Sequence, residues 1–197
     1  MDFFDAAVSQ RACRSFTDEP VADDVIERVL VAATHAPSAE NTQPWVFVVA
    51  RAPVLRARIG ELTRRAWEGG GREFSVDRLA PAMLADVDQG ALGGVSGAPV
   101  LIVVCGDTSR CVPAVLEASV WPAVQNLLLA ATASGLGSAL TTLATGFGEE
   151  LRQVLALPEH VRAMAVVPLG HPTKKLGPPK RLPLSERVHR ERYGTAW

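Results

Sequence analysis

No charged side chain occurs between Glu117 and Glu149. A chain can bury such a stretch in a bilayer or in protein, and its residues decide between the two. Pro122, Gln125, Asn126, Gly135, Gly137 and several threonines interrupt it, so the unbroken apolar run of a membrane span is missing. Val120, Val124, Leu127, Leu128 and Ala131 recur at helical spacing and predict a helix ending at Gly135. Being apolar on nearly every side, that helix must pack against protein all round. In a chain of 197 residues an oligomer interface is the expected place.

The rest of the chain supplies elements to pack around it. Phe3, Phe4, Ala7 and Val8 give residues 2 to 10 a helical stripe. A second helix carries Val25 or Ile26, Val29, Leu30 and Ala33, with Asp23 and Asp24 suited to its N-terminal dipole and Pro37 stopping it. WVFVVA (45 to 50), APVLIVVCGD (98 to 107) and VRAMAVVPLG (161 to 170) read as strands, the second most clearly. Residues 54 to 67 are helical and basic, 68 to 75 are a flexible break, and 78 to 90 and 148 to 156 are further helices. The proline-rich, basic tail is an extended arm. No repeat or long linker divides the chain, so residues 1–197 are expected to form one α+β domain.

Composition narrows the function. The chain is 48% hydrophobic and 21% charged, and 20 Lys and Arg against 21 Asp and Glu leave a formal charge of −1. That balance points to neither nucleic acid nor an anionic membrane. Cys13, Cys105 and Cys111 form no C-x-x-C pair, so a reducing cytoplasm is expected, and MDFFDAAVSQR lacks the pattern of a signal peptide. His35, His160, His171 and His189 are scattered without metal-ligand spacing. GLGSAL (135 to 140) follows a helix and has Leu140 at the third glycine position, so it is not a dinucleotide fingerprint.

Three segments concentrate polar chemistry. In QRACRSF, Arg11 and Arg14 lie three apart at the end of the first helix, where they would share a face. They suit a phosphate, or simply the helix dipole. In APSAENTQPW (36 to 45), Pro37 and Pro44 stiffen a loop carrying Ser38, Asn41 and Gln43, either as end caps or as a cradle for a planar ligand. GLGSALTT and PPKRLP add a helix terminus followed by Leu140, Thr141 and Thr142, and a tail bearing Arg181.

In order, R-x-x-R-x-F, A-P-S-x-x-N-x-Q-P-W, Q-N-L-L-L-A-A-x-x-x-G-L-G-S and an R-x-P-L arm resemble the nitroreductase family of flavoproteins. The resemblance runs from Phe4 to about Tyr193, and is weakest over residues 51 to 95. It implies a mixed, mainly antiparallel sheet flanked by helices. It also implies an intertwined homodimer whose C-terminal arms, about 175–197, wrap the partner and whose interface holds FMN. By that resemblance Arg11, Arg14 and Arg181 hold the phosphate. Pro37, Ser38, Ala39 and Asn41 reach the flavin from the other subunit, and Leu140, Thr141 and Thr142 line the isoalloxazine. Gln10, Ala12 and Ala39 depart from the family pattern, and each removes a possible flavin hydrogen bond.

The activity so implied is ping-pong hydride transfer from NADPH or NADH, through FMN, to nitroaromatics, quinones or related small acceptors. No protein side chain serves as acid or base, because the flavin carries the chemistry. Residues 60 to 95, with Gly69, Gly70 and Gly71, are the expected variable lid. The same fold also serves flavin-cleaving enzymes, reductive dehalogenases, biosynthetic tailoring oxidases and, as a non-enzymatic alternative, flavin-binding proteins.

Overall fold

The computed structural model describes all of residues 1–197. Its centre is a four-stranded sheet of order β1-β2-β4-β3, built from β1 (Trp45–Ala50), β2 (Val100–Asp107), β3 (Gly137–Ser138) and β4 (Val161–Gly170). All three strand pairings are antiparallel; Val48 lies opposite Val103, and Val103 opposite Val166. A parallel bridge from Ala12 to Ser138 extends the β3 edge and makes the pairing mixed. The α+β class and the mainly antiparallel sheet are as expected.

Strand β2 is buried from Val100 to Gly106, which explains its unbroken apolar run. Successive side chains of a strand point to opposite faces, and here both faces are covered. Val100, Ile102 and Val104 pack with α2 (Asp23–Thr34) and α7 (Pro113–Ala133), whose Val29, Val124 and Leu127 complete that core. Leu101, Val103 and Cys105 pack with α3 (Pro53–Ala66) and α8 (Gly148–Val154), through Ile59, Leu62 and Leu151.

The uncharged stretch forms α7, which is long and apolar enough to cross a membrane but spends its apolar face on the core. Pro113 starts it, where a missing N–H costs nothing, and Gly135 at φ 75° stops it. The helix is not buried on every side: Gln125 is exposed, and Trp121, Pro122 and Leu129 are half-buried. Helix α1 (Phe3–Ser9) packs on α7 yet leaves Phe3, Phe4 and Val8 in solvent.

Two local expectations need correction. Residues 68 to 75 are not a flexible break. A wide turn over Trp67–Gly71 leads straight into α4 (Arg72–Val76), followed by α5 (Pro81–Gln89). Glycine is required at residue 70, where φ is 133°, and the Ser75 hydroxyl donates to the Gly71 carbonyl at 2.8 Å. A second wide turn, Gly90–Gly94, runs into the single turn α6 (Val95–Gly97) before β2. The other correction is that α1 ends at Ser9, so Arg11 and Arg14 are not on a helix. Their segment is extended, bridging Ala12 to Ser138 and Phe16 to Pro172, because its backbone pairs with the sheet edge.

Candidate flavin site

The extended segment after α1 lies against the stretch that leaves β4. Cys13 N donates to the Ser138 carbonyl at 2.8 Å, Thr17 N to the His171 carbonyl at 2.8 Å, and Thr173 N to the Ser15 carbonyl at 3.2 Å. The Thr173 hydroxyl meets the Ser15 hydroxyl at 2.9 Å. Between these strands and α5 is a cavity of about 190 Å³ lined by Arg11, Arg14, Asp86, Thr173, Lys174 and Lys175, among others. Four cations therefore line the cavity beside a single carboxylate. Arg11 Nη1 donates to the Gly177 carbonyl at 3.2 Å, and Arg14 Nη1 to Asp86 Oδ2 at 2.5 Å.

Arg14 also lines a second cavity, of about 240 Å³, together with Thr63, Trp67, Leu140, Thr141, Thr142, Leu143 and Pro168. Thr141 is fixed there by a reciprocal backbone pair with Val166, at 3.0 and 2.9 Å. Trp67 is buried, and its indole N–H donates to Asp88 Oδ1 at 2.8 Å. That bond, helped by Arg72, holds the Asp88 carboxyl below its ordinary range. The remaining wall is the turn from Gly90 to Gly94, which presses on Arg14. A Cβ on Gly90 would lie 2.6 Å from Arg14 Cδ, and one on Gly94 would overlap the Arg14 carbonyl oxygen. Only glycine permits that approach.

One chain thus brings together Arg11, Arg14, Leu140, Thr141 and Thr142. Pro37, Ser38, Ala39, Asn41 and Arg181 line neither cavity. The loop holding the first four is docked on α7, where Ala39 N donates to the Ser119 hydroxyl at 3.1 Å. Ser38 Oγ accepts from Gln43 N at 3.0 Å, and Asn41 Oδ1 from Gln43 Nε2 at 3.2 Å. Glu40, Asn41 and Gln43 all have φ near 50°, a left-handed conformation that costs energy in non-glycine residues. Arg181 is exposed on the arm and donates only to the neighbouring Lys180 carbonyl.

Sequence reasoning missed Thr63, Trp67, the Gly90–Gly94 wall, Asp86, Lys174 and Lys175. The lysine pair follows β4 after His171, Pro172 and Thr173, and the other residues fall within 60 to 95, the segment expected to be the lid. A phosphate, with its three strongly accepting oxygens, suits the four-cation cavity, and a planar ring suits the largely apolar one. The Arg14 side chain joins the two.

Comparison with known proteins agrees with this geometry. The profile of the nitroreductase family matches residues 7–171. A Methanothermobacter thermautotrophicus protein named as an NADH dehydrogenase/NAD(P)H nitroreductase is 31% identical over 196 residues, covering 98% of this chain and 88% of the relative. Iodotyrosine deiodinase 1 of Rattus norvegicus is 28% identical over 184 residues, 88% of this chain but 63% of that protein. A crystal structure from Desulfovibrio desulfuricans, described as a nitroreductase in complex with FMN, superposes with a TM-score of 0.77. It is 28% identical and covers 98% of both chains. Sequence pattern, fold and cavity chemistry converge, and the chain belongs to the nitroreductase family.

Proposed function

We propose that this chain is an FMN-dependent oxidoreductase that uses NADPH or NADH to reduce small acceptors, nitroaromatics and quinones among them. The observation that carries this reading is Arg14, shared between a four-cation cavity and a largely apolar one. The residues present fit FMN. Bound there, FMN would supply the two-electron chemistry, accepting hydride equivalents from NAD(P)H and passing them to the acceptor.

The protein's part is placement and electrostatics. Arg11, Arg14, Lys174 and Lys175 neutralise a phosphate, with the arginines able to fork its oxygens. The Thr141 backbone pair with Val166 keeps the Leu140–Thr142 wall rigid. Trp67, held by Asp88, adds an aromatic wall to the ring site. The segment from residue 60 to 95 contributes Thr63, Trp67 and the glycine wall, which makes it the natural determinant of acceptor choice.

A homodimer completes the site in this proposal. Phe3, Phe4 and Val8 on α1, and Leu182, Leu184, Tyr193 and Trp197 on the arm, are exposed in the single chain. So much apolar surface favours an occupant. Wrapping of the arm around a partner would cover it and let the Pro37–Asn41 loop and Arg181 act across the interface. The three cysteines are free thiols, which suits a cytoplasmic setting.

The test is an absorbance spectrum after reconstitution with FMN, followed by anaerobic addition of NADPH or NADH and then a nitroaromatic or quinone. Bleaching by nicotinamide and recovery by acceptor are expected. Absence of bound flavin overturns the proposal; bound flavin that neither nicotinamide bleaches overturns its reductase part. The likeness to iodotyrosine deiodinase 1 favours one second reading, reductive dehalogenation at the same site. Release of halide from a halogenated phenol, with no turnover of nitroaromatics, would select it.

A further inference from the structure

We propose that Asp86 is a built-in competitor for the flavin phosphate, which lowers FMN affinity and keeps the cofactor exchangeable. The proposal rests on the FMN reading above. Asp86 is the one carboxylate in a cavity that also holds Arg11, Arg14, Lys174 and Lys175. Its Oδ2 accepts from Arg14 Nη1 at 2.5 Å, and the two side chains are 38% and 22% exposed, so solvent screens the pair only in part. The other three cations of the cavity have no carboxylate in ion-pair range, since Arg11 donates to a backbone carbonyl and Lys174 and Lys175 enter no ion pair.

Arg14 has little freedom to choose another partner. Gly90 and Gly94 touch its side chain and its carbonyl oxygen, and its neighbour Cys13 is tied to the β3 edge. The guanidinium is therefore held where Asp86 meets it. A phosphate entering the cavity must share that guanidinium with Asp86 or displace it, and in either case two anions face each other within a few ångströms. Riboflavin, which lacks the phosphate, brings no second anion to the pair. The opposite possibility, that Asp86 merely holds Arg14 ready for the phosphate, predicts the opposite sign when its charge is removed.

Kd values for FMN and for riboflavin, read by quenching of flavin fluorescence, separate the two. Asp86→Asn should tighten FMN by roughly three- to tenfold and steepen its salt dependence, while leaving riboflavin within about twofold. Asp86→Ser, neutral and smaller, should shift FMN in the same direction and serves if the asparagine variant does not fold. Asp86→Glu keeps the charge and should not tighten FMN. Unchanged or weaker FMN binding in the neutral variants, or equal tightening of riboflavin, overturns the proposal while the FMN reading stands. Wild-type protein that binds FMN no better than riboflavin overturns the phosphate reading of the cavity, and Asp86 with it.

Discussion

Arg14 is the residue on which both cavities depend. Its replacement by glutamine removes a cation from the phosphate side and a wall from the ring side. We expect FMN affinity to fall by at least about tenfold, measured by fluorescence titration, with little change in melting temperature. Asn41 sits in a strained loop but is exposed, and its side chain bonds only to Gln43. Asn41→Ala should therefore spare the fold, and should weaken FMN retention if the loop serves a partner's flavin. Retention equal to wild type on gel filtration would remove Asn41 from the site. Cys105 offers a pH test at the same scale. Burial pushes its thiol up to about 12, from an ordinary value of 9.0. Above pH 9 the unfolded chain gives up this proton while the folded chain keeps it, so the unfolded state gains with rising pH. The contribution of Cys105 is complete below pH 9 and is lost progressively towards pH 12. Urea midpoints of wild type and Cys105→Ala, compared from pH 8 to 11, should show the wild type losing more of its stability.

Elements divide into those specified by their own residues and those shaped by what they touch. Helix α7 and strand β2 are of the first kind, since the core that each one faces demands the apolar pattern it carries. Leu127 is fully buried in the α7 core, and Leu127→Ala should cost about 2–5 kcal/mol, read by chemical denaturation. The Gly90–Gly94 turn is of the second kind. Gly94→Ala would force a methyl onto the Arg14 carbonyl, whereas Gly69→Ala meets nothing within 4 Å. The first should destabilise by about 1–3 kcal/mol and weaken FMN binding; the second should cost about 1 kcal/mol or less. Parity between the two on thermal melts would contradict the close packing described. The segment holding Arg11 and Arg14 shows why local spacing misleads. Three-residue spacing suggests one face of a helix, but an edge strand with free backbone groups captured the segment instead.

At the scale of the whole molecule, α1 and the arm share an exposed apolar surface. Residues 178 to 197 are almost wholly exposed and carry Leu182, Leu184, Tyr193 and Trp197. If the arm wraps a second copy, deleting residues 178–197 should lower the dimer fraction in sedimentation velocity and the flavin content of the purified protein together. A truncated chain that keeps both would refute the arm's role. Much of this molecule was legible in the sequence: the three long strands, the central helix, and motifs specific enough to identify the family. These are properties of local periodicity, turn chemistry and short residue strings. What the chain could not reveal by itself is the company its charges keep. Arg14 meets Asp86 across 72 positions and Arg11 meets Gly177 across 166. Lys174 and Lys175 join them only because β4 ends beside the segment that follows α1. No local preference encodes such meetings. They arise when a twice-covered sheet fixes where each connecting segment emerges, and tertiary packing alone decided that four cations and one carboxylate would share a cavity.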